Sequence, residues 1–547
     1  MLPTEEITSS INGNENLRLM TSTDLKAAEL PETASDNIDK PGKSISPKSI
    51  NDETSSLLMI ESSNMAKEKW MSDCVNVRSN GKSEHIKRQN AEHRLSILSI
   101  VYNPTAHPTS YLDTLINMLK GNVGCGILAM GDAFKNGGLF LSPILTFIIG
   151  IICVYNQHVL VQCSKSVKHK LKLQHNPQFA ETVELSFQSG PQRFQSYSVF
   201  FRNSVNSFIV ITQLGFCCVY ILFVSKSFQQ VLSWYNIQLD VHVSILITMV
   251  PVMISSLIRS LKFIARLSAI ANMCMLVGLV VILYYCSIDL PPLSSRAAVA
   301  HWTTIPLYFG TSIFSFEGIS LVLPLEQEMK NPKQFSSAFG VLNVGMVIVT
   351  NLIVLTGFMG YLRFGDTVRG SLTLNLPEEF LLSKVVISSM MFGIICTYTL
   401  QFYVPVEILW PKVEQKFGPF RSPLLWDTGL RVILVLITFI AADVIPHLSL
   451  FISMMGAVAS TFLALIFPPL CHMAVTSADD GGNGYGLFNW RMVMNCATLM
   501  LGALGFVTGT YASVYEIFGA FQKVAVIDAI TNTTAAAANN YTAPGVH

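Results

Sequence analysis

Charge is what most of this sequence lacks. Of the 438 residues from Ser110 onward, 44 are Asp, Glu, Lys or Arg. That is about a tenth, against about a quarter in water-soluble proteins. A basic excess is missing too: 36 Lys and Arg meet 35 Asp and Glu, for a net charge of +1. No basic stripe interleaved with aromatics appears, which argues against a nucleic-acid partner. Cysteine is sparse, at 11 in 547 residues, and Cys125, Cys153, Cys217, Cys218 and Cys274 sit inside apolar runs. A secreted disulfide scaffold is excluded on that count. The strings GxSxG, HExxH, the P-loop and paired CxxC are absent, so no enzyme, cofactor or metal site is expected. Neither a filter string nor a ring of like charges points to a channel.

What charge there is concentrates at the start. Residues 1–109 hold 27 charged positions and are rich in Ser, Asn, Glu and Lys without an apolar period. They read as a mostly disordered tail. No charged-then-apolar leader follows Met1, so the tail is expected to stay in the cytosol. Within it, Glu53 stands four residues before Leu57-Leu58. This is either a chance hexamer or an acidic dileucine sorting signal that adaptor proteins read on endosomal routes.

From Tyr111, apolar stretches of about 20 residues recur, each long enough to cross ~30 Å of hydrocarbon as a helix. The expected spans are 111–131, 139–162, 204–225, 242–258, 264–286, 303–325, 338–361, 381–409, 429–442, 447–471 and 491–517. The reading is an all-α polytopic membrane protein with a transporter domain over 110–517. The ninth span is short enough to pair with the tenth as one hairpin. With the tail inside, fifteen Lys and Arg fall on inside loops and seven outside, as the positive-inside rule requires. An odd span count then puts residues 518–547 outside or in a lumen, where the sequons at Asn532 and Asn540 are usable for glycosylation.

Two spans are poor helices. The first is broken at Gly121-Asn122-Val123-Gly124-Cys125-Gly126, and the sixth at Phe314-Ser315-Phe316-Glu317-Gly318. Interruptions five spans apart are the pattern of an inverted-repeat transporter with a midplane site. Free N–H groups at a half-helix start suit a carboxylate, and free C=O groups at a half-helix end suit an ammonium. Two facing breaks therefore suit an α-amino acid. Small-residue helix packing is the alternative for the first break. Glu317, ionisable inside an apolar span, is either a clamp on the unwound backbone or a proton carrier. Lys120, Glu407, Asp443 and Glu516 also lie in or near spans, with Asp443 at a span end and Glu407 either lining the cavity or salt-bridged.

The strings LKGNVGCGILAM, TQLGFCCVY, FGTSIFSFEGISLVLPLEQEMKNP, GSLTLNLP and LQFYVPVEI occur in order between Ser110 and Tyr515. They closely resemble the proton-coupled amino acid transporter family, within the amino acid/auxin permease group. The resemblance implies eleven helices in a five-plus-five inverted repeat plus one. It implies symport of small neutral amino acids such as glycine, alanine or proline with protons, at the plasma membrane or an endosomal or lysosomal one. It also implies that Asn122, Gly124, Cys125 and Gly126 bind the carboxylate, facing Phe314, Ser315, Phe316 and Gly318.

Two departures stand out. The family's second-helix histidine falls on Tyr155 here, with His158 one turn on. His158, Tyr155 or Glu317 is therefore the coupling candidate, or coupling is weak. Gly131 stands where the family often has Pro, and the extracellular cysteine pair of some members has no counterpart. A sensor with little flux is the alternative function. Sodium, held by Ser388, Ser389 and Thr397, is the less favoured coupling ion. Side chains that would set substrate size include Phe314, Phe316, Tyr403 and Gln213.

Overall fold

The computed structural model describes residues 108–259, 261–377, 379–418, 420, 422–477 and 490–541. Glu53, Leu57 and Leu58 lie outside the described residues. Among the described residues the only extended pairing is a single bridge between Thr109 and Met329; the rest is helix and loop.

The first span is two helices, α1 (Tyr111–Asn122) and α2 (Cys125–Gly137). Ser110 starts α1 through a reciprocal capping box with Asp113, which satisfies two backbone donors at once. The second span, α3 (Leu141–Lys170), ends on Lys168, His169 and Lys170, cations that complement the negative end of the helix dipole. A short helix, α4 (Phe179–Gln188), precedes the third span, α5 (Ser198–Ser233). The fourth and fifth spans are α6 (Val241–Ser256) and α7 (Leu261–Ser287). The sixth is again two helices, α8 (Ile305–Ser315) and α9 (Ile319–Glu328). Then come α10 (Val341–Phe364), α11 (Leu381–Phe417) and α12 (Pro423–Val444). The tenth span starts as α13 (Leu448–Met455), widens into π turns at Gly456–Ser460 and Phe462–Ile466, and finishes as α14 (Phe467–Ser477). The last helix is α15 (Trp490–Tyr541).

Nine of these segments are long and apolar enough to cross a bilayer among the described residues. The broken first span and the shorter α6 complete the expected eleven. Equivalent members of two sets of five pack on each other: α2 on α8, α3 on α10, α5 on α11, α6 on α12. Because five is odd, the second set runs through the membrane inverted relative to the first. The third, sixth and tenth spans are the most enclosed, while the fifth, ninth and eleventh lie outermost. Most of their exposed residues are apolar, among them Met273, Val277, Ile433, Ile440, Leu504 and Val507, as a lipid-facing surface requires; Arg491 and Glu516, nearer the ends of the eleventh, are exposed charges.

Several boundaries differ from the sequence reading; the third span runs over Ser198–Ser233 and the eighth to Phe417, past Pro411. The ninth span is full length, because Arg431 pairs with Asp427 one turn back at 3.1 Å and donates to Ser256 O. Paired, these charges do not end the helix. Pro324, Pro405, Pro411 and Pro251 are all carried inside helices, which membrane spans tolerate. Finally, α15 continues past residue 517, and its backbone stays helical through Asn532 and Asn540.

Small residues bring the spans together. The Cβ that Gly357 lacks would strike the Phe134 ring, and Gly310 and Gly456 meet backbone to backbone. Gly131 leaves room for Leu372, whose Cδ2 lies 2.7 Å from where a Cβ would stand. A larger residue at Gly131 would collide with this GSLTLNLP segment. The starting end of the first span joins the finishing end of the sixth: Thr109 N donates to Glu328 O at 2.9 Å and Lys330 N to Thr109 O at 3.0 Å. On the same face, Lys165 and Glu326 form an ion pair at 2.6 Å.

Candidate functional site

The two interruptions face each other. At the first, Val123 and Gly124 are extended, with Gly124 at φ −141° and ψ −160°. At the second, helix geometry lapses between Phe316 and Gly318. The Cβ that Gly318 lacks would run into the Asn122 side chain. Asn122 donates its Nδ2 to Met118 O at 2.9 Å, while its buried Oδ1 has no partner. Four residues on, Gly126 O lies 2.9 Å from Ser315 Oγ, which stands the same distance from Thr311 O. The half-helices thus touch at Gly126 and Ser315, and again at Asn122 and Gly318. Between these contacts Gly124 opens on space: among the described residues no atom beyond its own stretch of chain lies within 4 Å of its missing Cβ.

Aromatic and polar side chains pack around the two breaks. The Phe314 ring packs on Phe216 of α5 at 4.6 Å between centroids. Tyr220, one turn further, faces Gln401 of α11 and lies near Cys125. Cys125 is a buried free thiol. Phe316 turns elsewhere, its ring tip filling the notch at Gly150 of α3. Glu317 is 8% exposed, and among the described residues neither carboxyl oxygen has a hydrogen-bond partner. It faces the Ser460 hydroxyl at the π-helical stretch of the tenth span and lies near Cys153. A π turn lets a helix offset its side chains locally, and such turns recur at functional sites.

Not every expected residue converges here. His158 Nε2 lies 2.7 Å from Asn343 Oδ1, and Asn343 donates to Ser337 O and Ala338 O in the loop before α10. Tyr155 takes a different direction, donating to Asn495 Oδ1 at 3.1 Å; Asn495 Nδ2 lies 2.7 Å from His472 Nδ1. A polar chain, Tyr155–Asn495–His472, therefore crosses the second, eleventh and tenth spans. Tyr403 faces Glu407, one turn on. Asp443 pairs with His242 at 2.8 Å. Ser389 and Thr397 give their hydroxyls to carbonyls of their own helix, Val386 O and Gly393 O. Gln213 is buried, with its Oε1 unpartnered. The sequence reading did not single out Phe216, Tyr220, Ser460, Asn495 or His472. Tyr220, Asn495 and His472 carried the same signal as Glu317, a polar group inside an apolar run.

A bundle of membrane-length helices closing on two interrupted spans is the build of a secondary carrier. Residues 107–515 match the family described as transmembrane amino acid transporter protein. The proton-coupled amino acid transporter-like protein pathetic of Drosophila melanogaster is 34% identical over 76% of this chain and 87% of its own length. The probable amino acid transporter skat-1 of Caenorhabditis elegans is 27% identical over 75% of this chain and 90% of its own. Among solved structures, the inward-facing conformation of Mhp1 overlaps 78% of this chain and 94% of its own, at 14% identity and a TM-score of 0.46. The chain belongs to the transmembrane amino acid transporter family and is a multi-pass membrane protein. Its relatives are named for transport, not for catalysis.

Proposed function

We propose that this protein is a secondary transporter that carries small neutral amino acids such as alanine, glycine or proline together with protons. One observation carries the reading: Gly124 opens on space between two facing helix breaks, with an uncapped half-helix start on one side. At the start of α2 no side chain caps the backbone, which leaves donors for a carboxylate. The end of α8, at Ser315 and Phe316, offers carbonyls for an ammonium. The aromatic wall of Phe216 and Phe314 limits the room left for a substrate side chain.

Glu317 supports the coupling. A buried carboxylate without a partner is expensive, and two things relieve it: a proton, or a cation brought by the substrate. Either ties the state of Glu317 to the transport cycle. His472 joins His158 and Tyr155 as a relay candidate, because it is the imidazole bonded to Asn495, the partner of Tyr155. In this reading the tail is cytosolic, the sequons face outward, and Leu57-Leu58 address the protein to an endosomal or lysosomal membrane through adaptor proteins.

Uptake of labelled alanine, glycine and proline in proteoliposomes, with and without an inward proton gradient, tests the reading. Wild type should accumulate at least one of them and respond to the gradient; Glu317→Gln should lose the response. Absence of any uptake overturns the carrier reading, and saturable binding without flux would make the protein a sensor instead. Gradient-independent uptake overturns the proton alone.

A further inference from the structure

A second cavity, of ~570 Å³, lies where α5 ends and α13 begins, under the segment that follows α10. Its chemistry is set by Lys226, Gln230, Ser233, Arg369, His447 and Ser449. Among the described residues no Asp or Glu lines it, although Asp240 stands near Lys226. Gln230 is 6% exposed, and both its Nε2 and its Oε1 are buried without a partner among the described residues. A native interior seldom leaves both ends of an amide unsatisfied. Nearby, Gly370 sits against the first turn of α13, with its missing Cβ 3.0 Å from Ser449 N. Arg369 holds the covering segment by donating its guanidinium to Leu374 O at 3.0 Å and its backbone N–H to Asn375 Oδ1.

This is not the central site. Gln230 lies fourteen residues along α5 from Phe216, which is about 21 Å of helix. Spans alternate direction, so the end of α5 opens on the face opposite the start of the first span. Both lining elements nonetheless lead inward, α5 to Phe216 and the tenth span to Ser460. We infer that this cavity is an entry site for the transported solute, an α-amino acid in its zwitterionic form. The Gln230 amide offers the ammonium an acceptor and the carboxylate a donor, and Lys226 and Arg369 supply the positive field that favours the carboxylate end. An anion alone would satisfy the cations but leave the amide oxygen unmatched. The inference rests on the carrier reading above.

Sided labelling tests it. In proteoliposomes, Ser233→Cys is placed in the cavity and an impermeant thiol reagent is added from one face. A ligand at ten times its dissociation constant leaves about a tenth of sites open, so alanine should slow labelling about tenfold. Gln230→Leu and Gln230→Glu should each abolish the protection; Glu keeps the shape and the acceptor but repels the carboxylate. Lys226→Gln, tested on protein that elutes as a single species, covers the case where a Gln230 variant fails to fold. Protection that survives all three variants overturns the site, because it would come from closure elsewhere. Equal protection by chloride or acetate overturns the amino acid as occupant. Labelling only from the opposite face would refute the assumed orientation while leaving the cavity intact. Protection without any wild-type uptake would sink the carrier reading, not the site.

Discussion

Two neighbouring glycines of the first break should respond in opposite ways to the same substitution. An alanine at Gly126 places its Cβ 2.9 Å from Ser315 Cα, 3.0 Å from Ser315 Oγ and 3.3 Å from the Phe314 ring. The first of these neighbours is backbone and cannot rotate away, so α2 and α8 must separate. Overpacking of this kind costs about 1–3 kcal/mol. Charged to the state in which the half-helices touch, that displaces its population about 5- to 150-fold. Gly124, two residues earlier, is extended and, among the described residues, has nothing beyond its own stretch of chain within 4 Å of its missing Cβ. Alanine there strains nothing, and by restricting the unfolded chain it contributes about 0.4–1 kcal/mol of stability. It does intrude on the space assigned to the substrate. Heating purified protein and measuring the surviving monomer should therefore rank Gly126→Ala below wild type and Gly124→Ala at or above it. Alanine uptake should fall in both, through a raised KM in Gly124→Ala. Adding Ser315→Gly to Gly126→Ala should restore only part of the stability, since the clash with the backbone of residue 315 persists. If Gly124→Ala melts as early as Gly126→Ala, the open space between the breaks is not there and the site is misassigned.

Other expectations follow from single interactions. Lys165→Ala leaves the buried Glu326 carboxylate without its ion-pair partner; because Lys165 is half exposed, the cost should be about 1 kcal/mol, below the 3–5 typical of a fully buried pair. Adding Glu326→Gln should recover it in the same melting assay. Asn495→Leu cuts the bridge between Tyr155 and His472 and should destabilise by about 1–3 kcal/mol. A pH profile of uptake superimposable on wild type in that variant would exclude the chain from coupling. Replacing Leu57 and Leu58 by Ala should move the protein to the cell surface, as read by surface biotinylation; an unchanged distribution would return that string to chance.

Much of the architecture is local in origin and so was legible. A run such as that of α5 is apolar on every side, and only a bilayer-length helix accommodates it. The breaks were legible because glycine clusters disrupt helix wherever they fall. What the sequence hid is pairing at a distance. Tyr155 and His158, three residues apart, look alike on a helical wheel, yet one reaches Asn495, 340 positions away, and the other Asn343. The ninth span looked short because it was begun after the charge of Asp427, which the fold joins to Arg431 as a pair. The π turns facing Glu317 carry no residue signature, since Gly456–Ser460 is composed of small residues that suit an ordinary helix equally well.

The bridge at Thr109 has a mechanical consequence. It clasps the start of the first span to the end of the sixth with two backbone bonds, each contributing a net of about 0.5–1.5 kcal/mol. A motion that spreads those ends must break both bonds or swing the two spans as one body. The clasp is made of main chain, so replacing side chains around it leaves it in place, and the two interrupted spans stay coupled at that end whatever occupies the site between them.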